Sequence, residues 1–161
     1  MIGADIPEST SDGTGVAEYN QLDVTDEAAW SRVIGAIEAE HGQLDILVHV
    51  AGIVVVEKLE NTSLADWKKQ MAVNVEGPFL GTKIAAQLMK RSGEKLPHGA
   101  AIVNIASVAG LIGSPLHTGY CASKAAVTML TKAAALEFSA LGYKIRVNSV
   151  HHSGLNTGMV D

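Results

Sequence analysis

Aromatic residues are scarce in this chain of 161 residues, at 4%. Its core must therefore rest on Val, Ile, Leu and Ala. Cysteine is nearly absent: Cys121 stands alone, so no intrachain disulfide can form and nothing points to an oxidising compartment. Basic residues are outnumbered, 12 Lys and Arg against 17 Asp and Glu, for a formal charge of −5. The chain thus lacks the basic face that a nucleic-acid surface requires. No apolar run reaches the roughly 18 residues of a membrane span. The opening MIGADIPEST has no charged start followed by an apolar stretch, so it is not read as a signal peptide. What is present is 47% hydrophobic and 18% charged residues, the balance of a single globular domain, 1–161. In the absence of any other address, a cytoplasmic protein is expected.

Apolar periodicity alternates along the chain between strand and helix. Strands are expected over 17–24, 44–52, 99–107 and 144–150, and helices over 26–42, 64–92 and 117–141. Asp26 is a candidate N-cap and Gly42 a C-terminal stop. The runs LDILVHVAG, GAAIVNIAS and KIRVNSV show no alternation, as expected for parallel strands covered on both faces. The fold class is therefore α/β with right-handed crossovers. In such sheets ligands bind beyond the carboxyl ends of the strands, here HVAG, NIAS and VHHSG.

Tyr120 and Lys124 stand four apart on an expected helix and so share a face. An ammonium beside a phenol stabilises the phenolate, which suits general acid–base work. A snorkelling lysine beside an interfacial tyrosine has the same spacing. Ser107, thirteen positions upstream, ends a strand, where a hydroxyl can bond a substrate oxygen or cap a turn. Asn74 lies four residues before Pro78, which has no N–H to offer the Asn74 carbonyl. That carbonyl is free to hold a water, or the helix only kinks there. Adjacent His151 and His152 point apart on extended backbone and have no carboxylate cluster, so no metal is expected. His117 and Cys121 are expected to face the cleft or a packing interface without a chemical role.

Taken in order, ADI at 4–6, LDV at 22–24, HVAG at 49–52, MAVN at 71–74, NIAS at 104–107, YCASK at 120–124 and RVNSV at 146–150 resemble the classical short-chain dehydrogenases/reductases. The likeness is greatest to bacterial hydroxysteroid and cyclic-alcohol dehydrogenases. The resemblance implies a Rossmann-like three-layer αβα fold with a mostly parallel sheet, and hydride transfer between a nicotinamide cofactor and an alcohol or carbonyl. It implies Tyr120 as acid–base, with Lys124 lowering its pKa and bonding the nicotinamide ribose. Ser107 would orient the substrate oxygen, and Asn74 would hold a relay water. Cofactor contacts would come from Asp5, Asp23, Val24, Ala51, Gly52, Val150 and Thr157, besides Tyr120 and Lys124. Asp5 matches a carboxylate that bonds the ribose 2′-OH and repels a 2′-phosphate, which favours NAD over NADP.

The chain departs from that family in lacking its first strand and glycine-rich turn, where the pyrophosphate sits. SDGTG at 11–15 follows Asp5 instead of preceding it. Strands flanking the missing one are expected to lose the partner between them. Met1 reads as a start placed inside a longer frame. His49 stands where the family often has asparagine, and His152 replaces a proline. Two functions compete: an NAD-dependent dehydrogenase of a hydrophobic secondary alcohol or ketone, and a truncated, non-catalytic binding or oligomerisation subunit. Helices 64–92 and 117–141 resemble the family's dimer-forming pair, so a homo-oligomer is expected. The apolar stretches AGIVVV and AGLIG are expected to line the site.

Overall fold

The computed structural model describes residues 1–6 and 18–153; Thr157 and the SDGTG stretch lie outside them. Among the described residues five parallel strands form two sheets. Strand β1 (Ile2–Asp5) pairs with β2 (Glu18–Gln21). Strand β4 (Ala100–Ile105) lies between β3 (Ile46–His49) and β5 (Ile145–Val150). The two sheets do not join. A cavity of about 800 Å³ lies between them, lined by Ile2, Gly3 and Ala4 of β1 and by Ile46, Leu47 and Val48 of β3. The break falls where an absent strand was expected.

The α-helices among the described residues are α1 (Glu27–His41), α2 (Leu64–Met71), α3 (Gly77–Lys95) and α4 (Thr118–Ala140). Local chemistry sets their ends. The Asp26 carboxylate accepts from the Ala28 N–H at 2.8 Å and caps α1. Gly42, at φ 66°, closes the same helix in the left-handed region. Ser63 accepts from the Asp66 N–H and caps α2.

The expected helix 64–92 is two helices joined by a π-helical turn, Ala72–Glu76. Pro78 supplies the reason. An N–H at position 78 would serve Asn74 in an α-helix and Val73 in a π-helix; proline serves neither. The Gly77 N–H reaches back to the Ala72 carbonyl, and the widened turn absorbs the gap.

Side chains show how the layers stack. His49 and Asn104 are in register across β3 and β4 and share a face. His49 meets Trp30 of α1 and Thr82 of α3; the Asn104 amide donates to Thr131 Oγ1 of α4 at 2.8 Å. Helices α1, α3 and α4 therefore cover one face, and the core of Trp30, Val33, Ile34, Leu88, Met89, Ile102 and Phe138 fills the space beneath. The other face of β3 carries Ile46 and Val48 at 62% and 47% exposure, and Val50 just beyond the strand is 66% exposed. Burial of that strand on both faces, expected from its unbroken apolar run, is thus not met. The run marks a strand whose second covering layer and neighbour are missing among the described residues.

Candidate active site

The end of β4, the segment that follows β5 and the start of α4 border a second cavity of about 480 Å³. Ser107, Tyr120 and Lys124 all line it. The strand runs only to Ile105, and Ser107 caps the short 3-10 turn Val108–Gly110, its Oγ accepting from the Ala109 N–H at 3.2 Å. The turn-capping alternative is therefore real, and it places the hydroxyl at the cavity wall. The Ser107 carbonyl accepts from His151 Nδ1 at 3.0 Å, which fixes the proton on that nitrogen. His151 Nε2 then accepts from the Ser149 hydroxyl at 2.9 Å. Both nitrogens of His151 are thereby used in tying the end of β5 to Ser107.

Lys124 is only 4% exposed. Its ammonium donates to the Ile105 carbonyl at 2.8 Å and stands 5.7 Å from the centre of the Tyr120 ring. Loss of hydration pushes its pKa down to about 8. The snorkelling alternative fails, since a snorkelling lysine keeps its head in water.

Asn74 sits in the π-helical turn and is fully buried. Its Oδ1 accepts from the Ile53 N–H at 2.8 Å, and its Nδ2 donates to the Ile53 carbonyl and to Ser123 Oγ, each at 2.9 Å. Ser123 in turn donates to the Tyr120 carbonyl at 2.8 Å. The side chain of Asn74 is thus consumed in packing, which leaves its main-chain carbonyl as the group available for a water. Gly52 lies against the same group: a Cβ there would stand 3.4 Å from both Asn74 Oδ1 and Lys124 Nζ.

The remaining expected contacts separate from this cluster. Val24 and Ala51 line the larger cavity between the sheets. Asp5 is exposed at the end of β1, its Oδ1 accepting from the Ile6 N–H at 2.7 Å. Asp23 accepts from the Thr25 N–H and hydroxyl, which holds its carboxyl below the usual range. Val150 ends β5, half-exposed and outside the lining of the 480 Å³ cavity. Val50 lines both cavities and joins them. Three structural members of the site carried no role in the sequence reading: Ser123, His151 and Gln70, whose Oε1 accepts from the Val55 N–H at 3.1 Å. Each has a partner at least 15 positions away, the Asn74 amide for Ser123, the Ser107 carbonyl for His151 and the Val55 N–H for Gln70, so no local spacing announces it.

The donors and cavities bear on a nicotinamide dinucleotide. The hydroxyls of Ser107 and Tyr120 and the buried ammonium of Lys124 suit the nicotinamide ribose and a substrate oxygen. Among the described residues no glycine-rich turn leads a strand into a helix, so no cradle for a pyrophosphate is seen there.

Parallel strands with acid–base side chains at their carboxyl ends define a Rossmann-type α/β protein. The chain belongs to the short-chain dehydrogenase family, whose model matches residues 5–161. It is 38% identical over 149 residues to the NADP-dependent (R)-specific alcohol dehydrogenase of Lentilactobacillus kefiri, covering 92% of this chain and 58% of that one. It is 38% identical over 151 residues to the trans-4-hydroxycyclohexanecarboxylate dehydrogenase of Sinomonas cyclohexanicum, covering 94% of this chain and 55% of that one. The solved structure of ligand-free Thermoplasma acidophilum aldohexose dehydrogenase superposes with a TM-score of 0.85 at 30% identity, over 98% of this chain and 58% of that one. The chain spans a little over half the length of these relatives.

Proposed function

We propose that the chain carries the acid–base half of an oxidoreductase that moves hydride between a nicotinamide cofactor and a hydrophobic secondary alcohol or ketone. The observation that carries this reading is the convergence of Ser107, Tyr120 and Lys124 on one largely apolar cavity. The nicotinamide, when bound, supplies or accepts the hydride. The Ser107 hydroxyl donates to the substrate oxygen and orients it. The Tyr120 phenol gives that oxygen its proton in reduction and takes it in oxidation. Lys124 holds a cofactor ribose hydroxyl and, when charged, favours the phenolate. A water on the Asn74 main-chain carbonyl connects Lys124 with solvent. Val54, Val56, Ile105 and Ile112 line the cavity and favour an apolar substrate over a sugar.

Asp5 supports NAD over NADP, because an exposed carboxylate at the end of β1 repels a 2′-phosphate. The Lentilactobacillus relative is by name NADP-dependent, so the choice rests on Asp5. Outward Phe79 of α3 and Met129 and Leu136 of α4, each at least 46% exposed, support a homo-oligomer through these two helices. Calorimetric titration of the 161-residue chain with NAD and NADP tests the cofactor reading. Binding of NAD that weakens in Asp5→Asn is expected. A folded chain that binds neither dinucleotide would overturn the reading for this chain and favour a non-catalytic subunit.

A further inference from the structure

The cavity that holds Ser107, Tyr120 and Lys124 contains another polar group whose hydrogen-bonding state is fixed, His117. It occupies the N-cap position of α4, where a side-chain acceptor normally serves the first turn, yet its ring caps nothing. Nδ1 instead lies 2.7 Å from the Pro115 carbonyl, with Ser114 Oγ 3.4 Å away. A carbonyl only accepts, so Nδ1 holds the proton and the neutral ring presents a bare lone pair on Nε2. Among the described residues none hydrogen-bonds Nε2. The ring is edge-on to Tyr120, with centres 6.4 Å apart and planes at 65°.

The backbone before it is strained. Leu116 has φ 65°, a region that side-chain-bearing residues rarely adopt. Its carbonyl accepts from the Glu57 N–H at 2.9 Å, which ties this turn to the segment carrying Val54 and Val56 of the cavity lining. A capping preference is given up and a strained residue is retained, and together they hold one ring in one tautomer at the wall. The same cavity is lined by aliphatic Val54, Val56, Ile112 and Pro115. An oriented acceptor in an apolar wall discriminates between ligands that can donate to it and ligands that cannot.

We propose that His117 is a specificity-determining residue. Its Nε2 accepts a hydrogen bond from a second hydroxyl of the substrate, so the site selects diols over mono-alcohols of the same carbon skeleton. This rests on the alcohol/ketone reading and names a substrate class within it.

The test has a readout independent of turnover. In ¹⁵N spectra of the 161-residue chain, His117 is expected as the Nδ1–H tautomer. Its Nε2 resonance should move with trans-1,4-cyclohexanediol and not with cyclohexanol. Affinities measured by the same titration should favour the diol by about tenfold. That ratio should fall toward one in His117→Leu and survive in part in His117→Gln, whose amide oxygen still accepts. An Nε2–H tautomer, equal binding of the two alcohols, or a ratio that survives in His117→Leu would overturn the role of His117. Binding of neither alcohol would overturn the alcohol reading and this inference together.

Discussion

Asn74 and Ser123, 49 positions apart, are joined by a buried hydrogen bond of 2.9 Å from Nδ2 to Oγ. The hydroxyl passes the link on to the Tyr120 carbonyl, so the π-helical turn and α4 are held as one unit. Ser123→Ala leaves one Asn74 N–H without a partner inside the protein. Urea unfolding should show a loss of about 1–3 kcal/mol. A change within 0.5 kcal/mol would mean that the bond contributes nothing.

Tyr120 stands on a helix whose N-terminal turn is packed by Gly119 against Gln70. Tyr120→Phe removes only the hydroxyl, so circular dichroism should be unchanged while alcohol-dependent reduction of NAD, measured at 340 nm, is abolished. Retained turnover would remove Tyr120 from the acid–base role.

Burial in an apolar niche between Trp30 and Thr82 pushes the His49 pKa down to about 4. The unfolded chain therefore binds a proton that the folded chain refuses. Stability from this residue is complete above pH 6.5 and is lost as pH falls to about 4, at a cost of roughly 3 kcal/mol. Carboxylates titrate in the same window, so the measurement is a difference: His49→Gln should lose less stability than the parent between pH 6.5 and 4. Parallel curves would disprove the assignment.

Gly81 lies on α3 directly over the same imidazole. A Cβ there would stand 2.2 Å from His49 Cε1 and 2.7 Å from Trp30 Cη2. Gly81→Ala gains about 1 kcal/mol of helix propensity but overpacks rigid rings. A net loss of about 2 kcal/mol is expected from thermal or denaturant unfolding. A stabilised variant would show that the rings move aside without strain.

Lys124 places function against stability. Its folded pKa of about 8 lies below the ordinary 10.5, so the folded chain gives up the proton first as pH rises. Stability from this group increases between pH 8 and 10.5, the reverse of a salt-bridged lysine. Lys124→Met removes a burial cost of roughly 3 kcal/mol and leaves the Ile105 carbonyl unpaired, worth about 1 kcal/mol. The variant should be inactive yet about 2 kcal/mol more stable at pH 7, with no stability gain from this group above pH 8. A less stable variant would mean that the hydrogen bond outweighs desolvation.

Much of this fold was legible because its determinants are local. Asp26 and Gly42 bracket α1 within one residue, since caps act on backbone groups a few positions away. Tyr120 and Lys124 share a face because helical pitch places i and i+4 together. Pro78 announced a disturbance in the helix at Asn74, although not that the disturbance would be a π-helical turn. The aliphatic stretches 51–56 and 109–113 were read as a cavity lining, and Gly52, Val54, Val56, Ala109 and Ile112 line it.

Tertiary structure decided the rest. Whether an unbroken apolar strand is covered on both faces depends on neighbours it does not encode, and Ile46 and Val48 of β3 stay open to solvent. The buried, proton-refusing state of His49 is set by Trp30, Gly81 and Thr82, far away in sequence. Val150 matched a motif yet stands outside the lining of the 480 Å³ cavity, while Ser123 and His151, given no role by the motifs that contain them, hold its parts together. Residue types and their near spacing determine which helices, strands and acid–base groups can exist. Which of them meet is fixed by packing between segments tens of residues apart, where burial, hydrogen-bond satisfaction and the gap between the two described sheets change what each side chain can do.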